Sequence, residues 1–221
     1  MKSTLCIVVT IYMEKSAPIG RPRKFDRNQA VHNAMLVFWS RGYENATLLD
    51  LQQAMGGITA PSFYHAFGSK ENLFHEAVAL YGEQEGSGIA RELSAGNTAR
   101  DAIEAMFEQV VLLVSGTETP KGCLVALGGI NCSVGNSDVA GFIQELRNRR
   151  VELIRSRLER GVLDGDIPAQ TDVNGLANYL TTVVDGICLQ AKDGVAQGSL
   201  RRTVSFAMTA FDANISSAAT E

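Results

Sequence analysis

The stretch TAPSFYHAFGSK, residues 59–70, carries side chains suited to binding rather than to catalysis. Its polar groups are hydroxyls, one imidazole and a terminal lysine, and it contains no acidic residue. Phe63 and Phe67 are four residues apart, so in a helix they would form one buried edge and leave the polar groups on the other. Hydroxyl, imidazole and small apolar groups contact base edges and phosphates in DNA complexes. The chemistry predicted for this stretch is therefore non-covalent contact with nucleic acid.

The preceding residues predict the element that positions this helix. Thr47 followed by Asp50 is a capping-box start for a first helix, and Gly56 and Gly57 allow the positive φ that a sharp reversal needs. Thr59 then caps the second helix. Two helices joined by a glycine turn predict a helix-turn-helix, which lays its second helix in the DNA major groove. On pattern alone, an ordinary helical hairpin is the alternative.

A longer run, residues 25–81, resembles the N-terminal DNA-binding domain of the TetR/AcrR family of transcriptional regulators. It covers roughly a quarter of the chain. The matching features are the end of an aromatic-rich first helix, two helix caps, the middle of the recognition helix and the start of the next helix: Arg41-Gly42-Tyr43, Thr47, Thr59, Phe63-Tyr64-His65, Phe67 and Ser69-Lys70-Glu71. One departure is Ala66, where many members carry an aromatic residue or a histidine that can contact phosphate.

The resemblance implies an all-α fold in two parts. Residues 25–70 would form a three-helix helix-turn-helix DNA-binding domain, and residues 71–221 a helical effector-binding and dimerisation domain. Matching positions in the family face base edges at Ala60, Pro61, Ser62 and His65, and face phosphates at Thr47, Thr59, Tyr64 and Lys70. The second helix has neither the Arg that reads guanine nor the Asn that reads adenine, so the operator sequence does not follow from it.

A basic arm precedes the motif. Residues 20–47 contain five Lys or Arg and two acids, although the whole chain has a net charge of −4. Arg21, Arg23 and Lys24 resemble the arms that enter the minor groove or follow phosphates, and a solvated tail is the alternative. Residues 1–24 are predicted to be a flexible extension. Its apolar start is too short to span a membrane, and translation from Met13 is the interpretation favoured over a signal peptide.

The remaining sequence predicts further helices. One begins at Ser69 and fades in the region 82–88, another covers 97–115, and the uncharged run 122–134 indicates a buried or broken helix. A helix over 137–160, capped by Ser137, would place its leucines inward and its arginines mostly outward, with interleaved glutamates. The last two helices are predicted at 171–197 and 199–216.

Catalysis, cofactors and metals find no support in the sequence. The chain lacks a phosphate-binding or dinucleotide glycine loop, HExxH and GxSxG, so no enzyme and no cofactor are predicted. Cys6, Cys123, Cys132 and Cys188 lack zinc spacing and indicate reduced thiols. Cys123 and Cys132 are interpreted as core thiols, with a redox-sensing or metal-sensing pair as the alternative.

A cytoplasmic, ligand-responsive repressor fits these features best. Its predicted partners are a palindromic double-stranded DNA operator and a small apolar effector. A helical protein–protein adaptor is one alternative, although it would favour an acidic or apolar recognition face. An architectural DNA-binding protein without effector is another, although it would not need the long second domain.

The effector pocket is predicted between residues 100 and 190, from apolar side chains with a few orienting polar groups: Met106, Phe107, Val110, Cys123, Leu124, Leu127, Asn131, Phe142, Leu146, Tyr179 and Asp185. Homodimerisation is predicted from apolar stripes on the last two helices, which would pair with their symmetry mates: Val173, Leu176, Leu180, Val183, Val184, Ile187 and Ala191 on one, and Leu200, Val204, Ala207, Met208, Phe211 and Ile215 on the other.

Overall fold

The computed structural model describes residues 25–95 and 97–218. The predicted arm, with Arg21, Arg23 and Lys24, lies outside them. The described residues form helices only, which confirms the all-α prediction: α1 Arg27–Asn45, α2 Leu48–Ala54, α3 Ala60–Phe67, α4 Lys70–Tyr81, α5 Ser87–Ala95, α6 Ala99–Val114, α7 Leu124–Leu127, α8 Ser137–Asp164, α9 Val173–Lys192 and α10 Gln197–Ala218.

An aromatic core joins the helix-turn-helix to the rest of the molecule. The Phe38 and Phe74 rings, from α1 and α4, meet edge to face with centroids 5.0 Å apart. The Trp39 ring meets Tyr81 in the same way at 4.8 Å. Phe38, Phe63 and Phe74 are fully buried, and burial of such rings is among the largest stabilising terms in a small core. The α4 helix therefore connects the DNA-facing helices to the helical domain through one continuous core.

The predicted fading of α4 after Tyr81 is wrong. The chain passes through a π-helical turn, Gly82–Gly86, and continues as α5. A larger residue at Gly88 would crowd the neighbouring helix, because a Cβ there would lie 2.8 Å from the Gln109 side chain. The glycine thus allows α5 to pack closely against α6 instead of ending a helix.

The long helix α8 turns a different face inward from the one predicted. Its buried residues include Ile154, Leu158 and Arg157, whereas Leu153 is 47% exposed. The prediction of an inward Leu153 is therefore wrong, because the chain packs α8 on the face that contacts α9 and α6, and Arg157 is an exception to the mostly outward arginines. Ser137 is the first helical residue, and Asn136 occupies the N-cap position without a side-chain cap.

The apolar stripes of α9 and α10 are used within the chain itself. Most of their residues are buried against α6, α8 and each other: Leu176, Leu180, Val184, Ile187, Ala191, Leu200, Val204, Ala207, Met208 and Phe211. The prediction that these residues pair with a second copy is therefore wrong, because they already fill the core of one chain. The opposite faces remain exposed, and Phe206 on α10 is 75% exposed.

Candidate nucleic-acid interface

The turn between α2 and α3 has the geometry that the sequence predicted. The Asp50 N–H donates to Thr47 Oγ1 at 3.1 Å, and the Thr47 N–H donates to Asp50 Oδ2 at 3.0 Å, so the capping box is complete. Gly56 and Gly57 both adopt positive φ, +86° and +79°. These two residues reverse the chain and direct α3 across α2.

The third helix presents the polar edge that its sequence predicted. Phe63 and Phe67 are buried, while Pro61, Ser62 and His65 are exposed. The Thr59 side chain accepts from the Ser62 N–H at 3.4 Å and caps the helix. Because none of the exposed groups on this edge is acidic, it can approach a polyanion without repulsion from its own side chains.

A groove runs along the outer edge of α3. Phe25 forms one wall, and its ring meets Phe67 edge to face with centroids 6.3 Å apart. The other lining residues come from the turn and from the exposed side of α3: Gly57, Ile58, Thr59, Pro61, Ser62, His65 and Ala66. Three predicted base-contacting residues therefore share one surface, and Ala60 beside them is half-buried.

The predicted phosphate-contacting side chains are engaged within the protein. The Thr47 hydroxyl donates to Asp50 at 2.6 Å, and the Thr59 and Ser62 hydroxyls lie 3.0 Å apart. The Lys70 ammonium sits 4.3 Å from the centre of the Tyr43 ring, a cation–π contact. Burial lowers the pKa of Lys70, and the nearby Glu44 carboxylate opposes that shift. Tyr64 is 53% exposed, and its ring meets that of Phe63 edge to face with centroids 5.4 Å apart.

Two acids of the DNA-binding domain, Asp50 and Glu76, form ion pairs. Arg41 lies 2.7 Å from Asp50, and Arg27 lies 2.7 Å from Glu76. The pKa of Asp50 is lowered chiefly by the hydrogen bonds from Thr47, with Arg41 adding to the effect. Its carboxylate therefore remains ionised at neutral pH, and its charge is compensated locally.

The end of α1 is hydrogen-bonded to the helical domain at several points. Trp39 Nε1 donates to the Gly122 carbonyl at 3.0 Å, and the Tyr43 N–H donates to the Gly128 carbonyl at 2.9 Å. Lys192 Nζ, at the end of α9, donates to the Ser40 carbonyl at 2.7 Å. We call these contacts the junction.

Two further bonds and a special backbone conformation complete the junction. The Glu44 carboxylate accepts from the Ser133 N–H at 3.1 Å and from Asn136 Nδ2 at 2.9 Å. Gly42 has φ +75°, a conformation that side chains other than glycine rarely adopt, and it turns the chain toward Gly128. Movement of the 122–136 segment would therefore be transmitted to the helix-turn-helix.

The predicted effector residues do not share one site. Several are buried in the packed core: Met106, Phe107, Val110, Cys123 and Leu124. The Phe142 ring packs on His75 at 4.3 Å, and Leu146 packs half-buried against the core. Tyr179 is 39% exposed. Asp185 forms an ion pair with Arg150.

Asn131 and Leu127 instead line a cleft at the junction. It has a volume of about 260 Å³. One wall is the end of α1 from Trp39 to Asn45, and the other is formed by the segment after α7 and the end of α9: Leu127, Gly128, Ile130, Asn131, Cys132, Leu189 and Lys192. Sequence reasoning missed this cleft because its walls are distant in the chain and meet only in the fold.

The interpretation of Cys123 as a core thiol is confirmed, whereas Cys132 is only half-buried. The thiol with the largest effect on the pKa of Cys123 is that of Cys188, which the alternative of a Cys123–Cys132 pair did not include. The Tyr81 hydroxyl donates to the Cys123 sulfur at 3.3 Å. Cys132 is half-buried at the cleft, where burial raises its pKa. The sequence did contain a signal that Cys188 is buried, because it lies next to Ile187 on the apolar side of α9.

Within the described ranges, no three His, Cys, Asp or Glu side chains are grouped closely enough to hold a metal ion. No helix formed by the described residues has the length and hydropathy needed to cross a membrane.

Comparison with known proteins identifies the fold. The model of the tetR family of bacterial regulatory proteins matches residues 31–77. The HTH-type transcriptional repressor ComR of Escherichia coli (strain K12) is 28% identical over 178 residues, which is 80% of this chain and 84% of the relative. The uncharacterized HTH-type transcriptional regulator YezE of Bacillus subtilis (strain 168) is 30% identical over 168 residues, 73% of this chain and 84% of the relative.

A solved structure that contains bound DNA supports the same family assignment. It holds a cysteine variant of the TetR family transcriptional regulator CifR, complexed with 26-bp double-strand operator DNA. The two chains are 40% identical, match over 86% of this chain and 99% of that chain, and have a TM-score of 0.82. The chain described here therefore belongs to the TetR family, and it is a DNA-binding transcriptional regulator rather than an enzyme.

Proposed function

We propose that this regulator is a cytoplasmic, homodimeric repressor that binds a palindromic operator and is released by a small molecule of low polarity. The observation that carries the proposal is the acid-free edge of α3, exposed above the buried Phe63 and Phe67. Sequencing of genomic DNA captured by the purified protein would test it. We expect one inverted repeat with half-sites about one helical turn apart, and capture without any common motif would contradict the proposal.

Direct contact with bases is assigned to the α3 edge. Ser62 and His65 provide hydrogen-bonding groups there, and Ala60 and Pro61 provide small apolar surfaces suited to thymine methyls. Phosphates would be held by Thr47, Thr59, Tyr64 and Lys70, which fixes register without reading sequence. Arg21, Arg23 and Lys24 immediately precede Phe25, at the edge of the α3 groove, so a minor-groove or phosphate role fits their position in the chain.

Replacement of Lys70 by alanine should weaken binding to all DNA sequences to a similar extent. For a phosphate contact, the Lys70 ammonium must leave the Tyr43 ring, and its loss should flatten the plot of log K against log salt concentration by about one unit per protomer. Fluorescence anisotropy over a salt series would measure this slope. Lys70→Arg should keep the slope, and Lys121→Ala, at an exposed lysine of the helical domain, should leave it unaltered. An unchanged slope for Lys70→Ala would remove Lys70 from the interface.

The dimer interface is proposed to lie on the outward faces of α9 and α10. Phe206 is 75% exposed and Tyr179 is 39% exposed. An exposed aromatic residue of this size is typical of an interface anchor. Pairing of the two helices with those of a second copy would form a four-helix interface. It would also present two copies of α3 to one face of the operator.

Replacement of Phe206 by aspartate should shift the protein toward monomers. In a two-fold interface the change removes two buried rings and buries two charges, so we expect dimer affinity to fall by about 100-fold or more. Sedimentation velocity at micromolar concentration would measure it. Leu163→Asp changes an apolar residue that is 86% exposed near the end of α8 and should leave the oligomeric state intact. A dimer unaffected by Phe206→Asp would place the interface elsewhere.

The effector is proposed to bind in the junction cleft. Its apolar walls include Leu127, Ile130 and Leu189, and Asn131 is available to orient a polar group. A ligand there would contact both sides of the junction, and it would release DNA to the extent that it prefers the unbound arrangement of α3. Apolar compounds that raise the melting temperature should therefore also weaken operator binding. Binders that stabilise the protein without altering DNA affinity would contradict this role.

A further inference from the structure

A second chemically distinctive group lies behind the junction, where two thiols and a phenol meet. Cys123 is at the start of α7, Cys188 is in α9 and Tyr81 ends α4. The Tyr81 hydroxyl donates to Cys123 Sγ at 3.3 Å, and the Ala126 N–H donates to the same sulfur at 3.4 Å. The Cys188 side chain is the neighbour with the largest effect on the pKa of this thiol. The backbone is close as well, since a Cβ on Gly122 would lie 3.2 Å from the Cys188 carbonyl oxygen.

This environment supports a thiolate on Cys123. Its pKa falls to about 6, chiefly because of the hydrogen bond from Cys188, followed by the Tyr81 hydroxyl and the positive charge of Arg150; burial opposes the shift. The same contact with Cys123 raises the pKa of Cys188 well above its usual value. Arg150 on α8 and its ion-pair partner Asp185 on α9 are the charged groups that act on this pair. A lowered pKa favours the thiolate, which is the nucleophilic form of cysteine.

We propose that Cys123 and Cys188 form a redox-active dithiol, which a hydroperoxide converts to a disulfide. The Cys123 thiolate attacks the terminal peroxide oxygen, the O–O bond breaks, and the alkoxide or hydroxide that leaves takes up a proton. Cys188, deprotonated in turn, then attacks the Cys123 sulfur of the sulfenic acid, and water leaves. Two thiols and one hydroperoxide thus give one disulfide, one alcohol or water, and one further water.

The two residues lie together in the core, next to the junction cleft. Cys123 retains 8% exposure and Cys188 1%, so both are buried and a small oxidant must enter the protein to reach them. Leu189, adjacent to Cys188, lines the junction cleft. Formation of the disulfide requires the two sulfurs to approach to about 2.05 Å. Cys132, at the same cleft, lacks these contacts and has a raised pKa, so it is not assigned the reaction.

The test uses the full chain with Cys6 and Cys132 replaced by serine. The protein is treated with equimolar hydrogen peroxide, its free thiols are blocked with iodoacetamide, and tryptic peptides are analysed by mass spectrometry. We expect one cross-linked peptide that contains Cys123 and Cys188, lighter by two hydrogens than the separate peptides and restored by dithiothreitol. In Cys188→Ser, Cys123 should instead accumulate as a sulfenic acid that dimedone traps. Cys188→Ala repeats this arm if the serine variant fails to fold.

Tyr81→Phe tests the activation of Cys123 without removing a thiol. Loss of the phenol donor should move the midpoint of the Cys123 alkylation profile upward by about one pH unit, which lowers the rate at pH 6 about fivefold. A purely packing role for Tyr81 would leave this profile in place. The proposal is overturned if both thiols remain fully alkylatable after peroxide treatment, or if the linked peptide is absent while Cys132 of the unaltered chain is oxidised. It does not depend on the proposed function, because every readout is chemical and none requires DNA.

Discussion

Replacement of Ser62 by glutamate should abolish operator binding and leave the protein folded. Ser62 is exposed in the first turn of α3, on the edge assigned to DNA. A carboxylate there would face the phosphates and acceptor groups of the major groove, and like charges brought together at an interface cost several kcal/mol. We therefore expect operator affinity to fall by about 100-fold or more. Fluorescence anisotropy with a labelled operator would measure the loss.

The fold should tolerate this change because glutamate suits the position. Thr59 is the N-cap of α3 and Ser62 is three residues later, so glutamate would complete a capping box. The melting temperature should stay constant or rise. Ser62→Gln offers a matched control, since glutamine has nearly the same shape, can complete the same box and carries no charge. If the Glu and Gln variants bind DNA equally well, the α3 edge does not face the operator.

Addition of one methyl group at Gly128 should destabilise the protein by about 2–4 kcal/mol. A Cβ at this position would lie 2.4 Å from the Leu124 carbonyl oxygen and 2.8 Å from Leu124 Cδ1. The first of these neighbours is backbone, so α7 or the junction must move. The Gly128 carbonyl also accepts the hydrogen bond from the Tyr43 N–H, and displacement would weaken that bond. Urea unfolding of Gly128→Ala would give the free-energy change.

A second glycine provides an internal control for the same chemical change. Gly141 is an exposed residue of α8, and a Cβ there would meet nothing within 4 Å. Alanine in place of glycine inside a helix stabilises by about 0.5–1 kcal/mol. The two Gly→Ala variants should therefore change the free energy of unfolding in opposite directions. A stable Gly128→Ala protein would mean that the junction adapts to an added side chain.

The helix-turn-helix could be predicted from sequence because its signals are local. The Thr47 cap, the Gly56-Gly57 turn and the Phe63–Phe67 spacing each involve residues within four positions of one another, and the structure contains all three. These features depend on backbone conformation and helix periodicity, which nearby residues determine. The polar edge of α3 followed directly from them.

The interior of the helical domain could not be predicted in the same way. In α8, the inward face was decided by neighbouring helices, so Arg157 became buried and Leu153 exposed. The stripes on α9 and α10 were real, but periodicity does not say whether another part of the chain or a second copy covers them. The partner of Cys123 likewise depended on a contact between residues 65 positions apart. The junction cleft and the dithiol are therefore products of tertiary packing.

The junction also bears on how such a regulator can change its targets in evolution. Three of its hydrogen bonds end on main-chain carbonyls, those of Ser40, Gly122 and Gly128. A main-chain acceptor survives substitution of its own side chain as long as the backbone path is kept. A foreign DNA-reading module could therefore be grafted onto this helical domain if it supplied an indole at position 39 and the same backbone bend at position 42. Operator choice and signal response could then diverge separately, with only a few positions constrained by both.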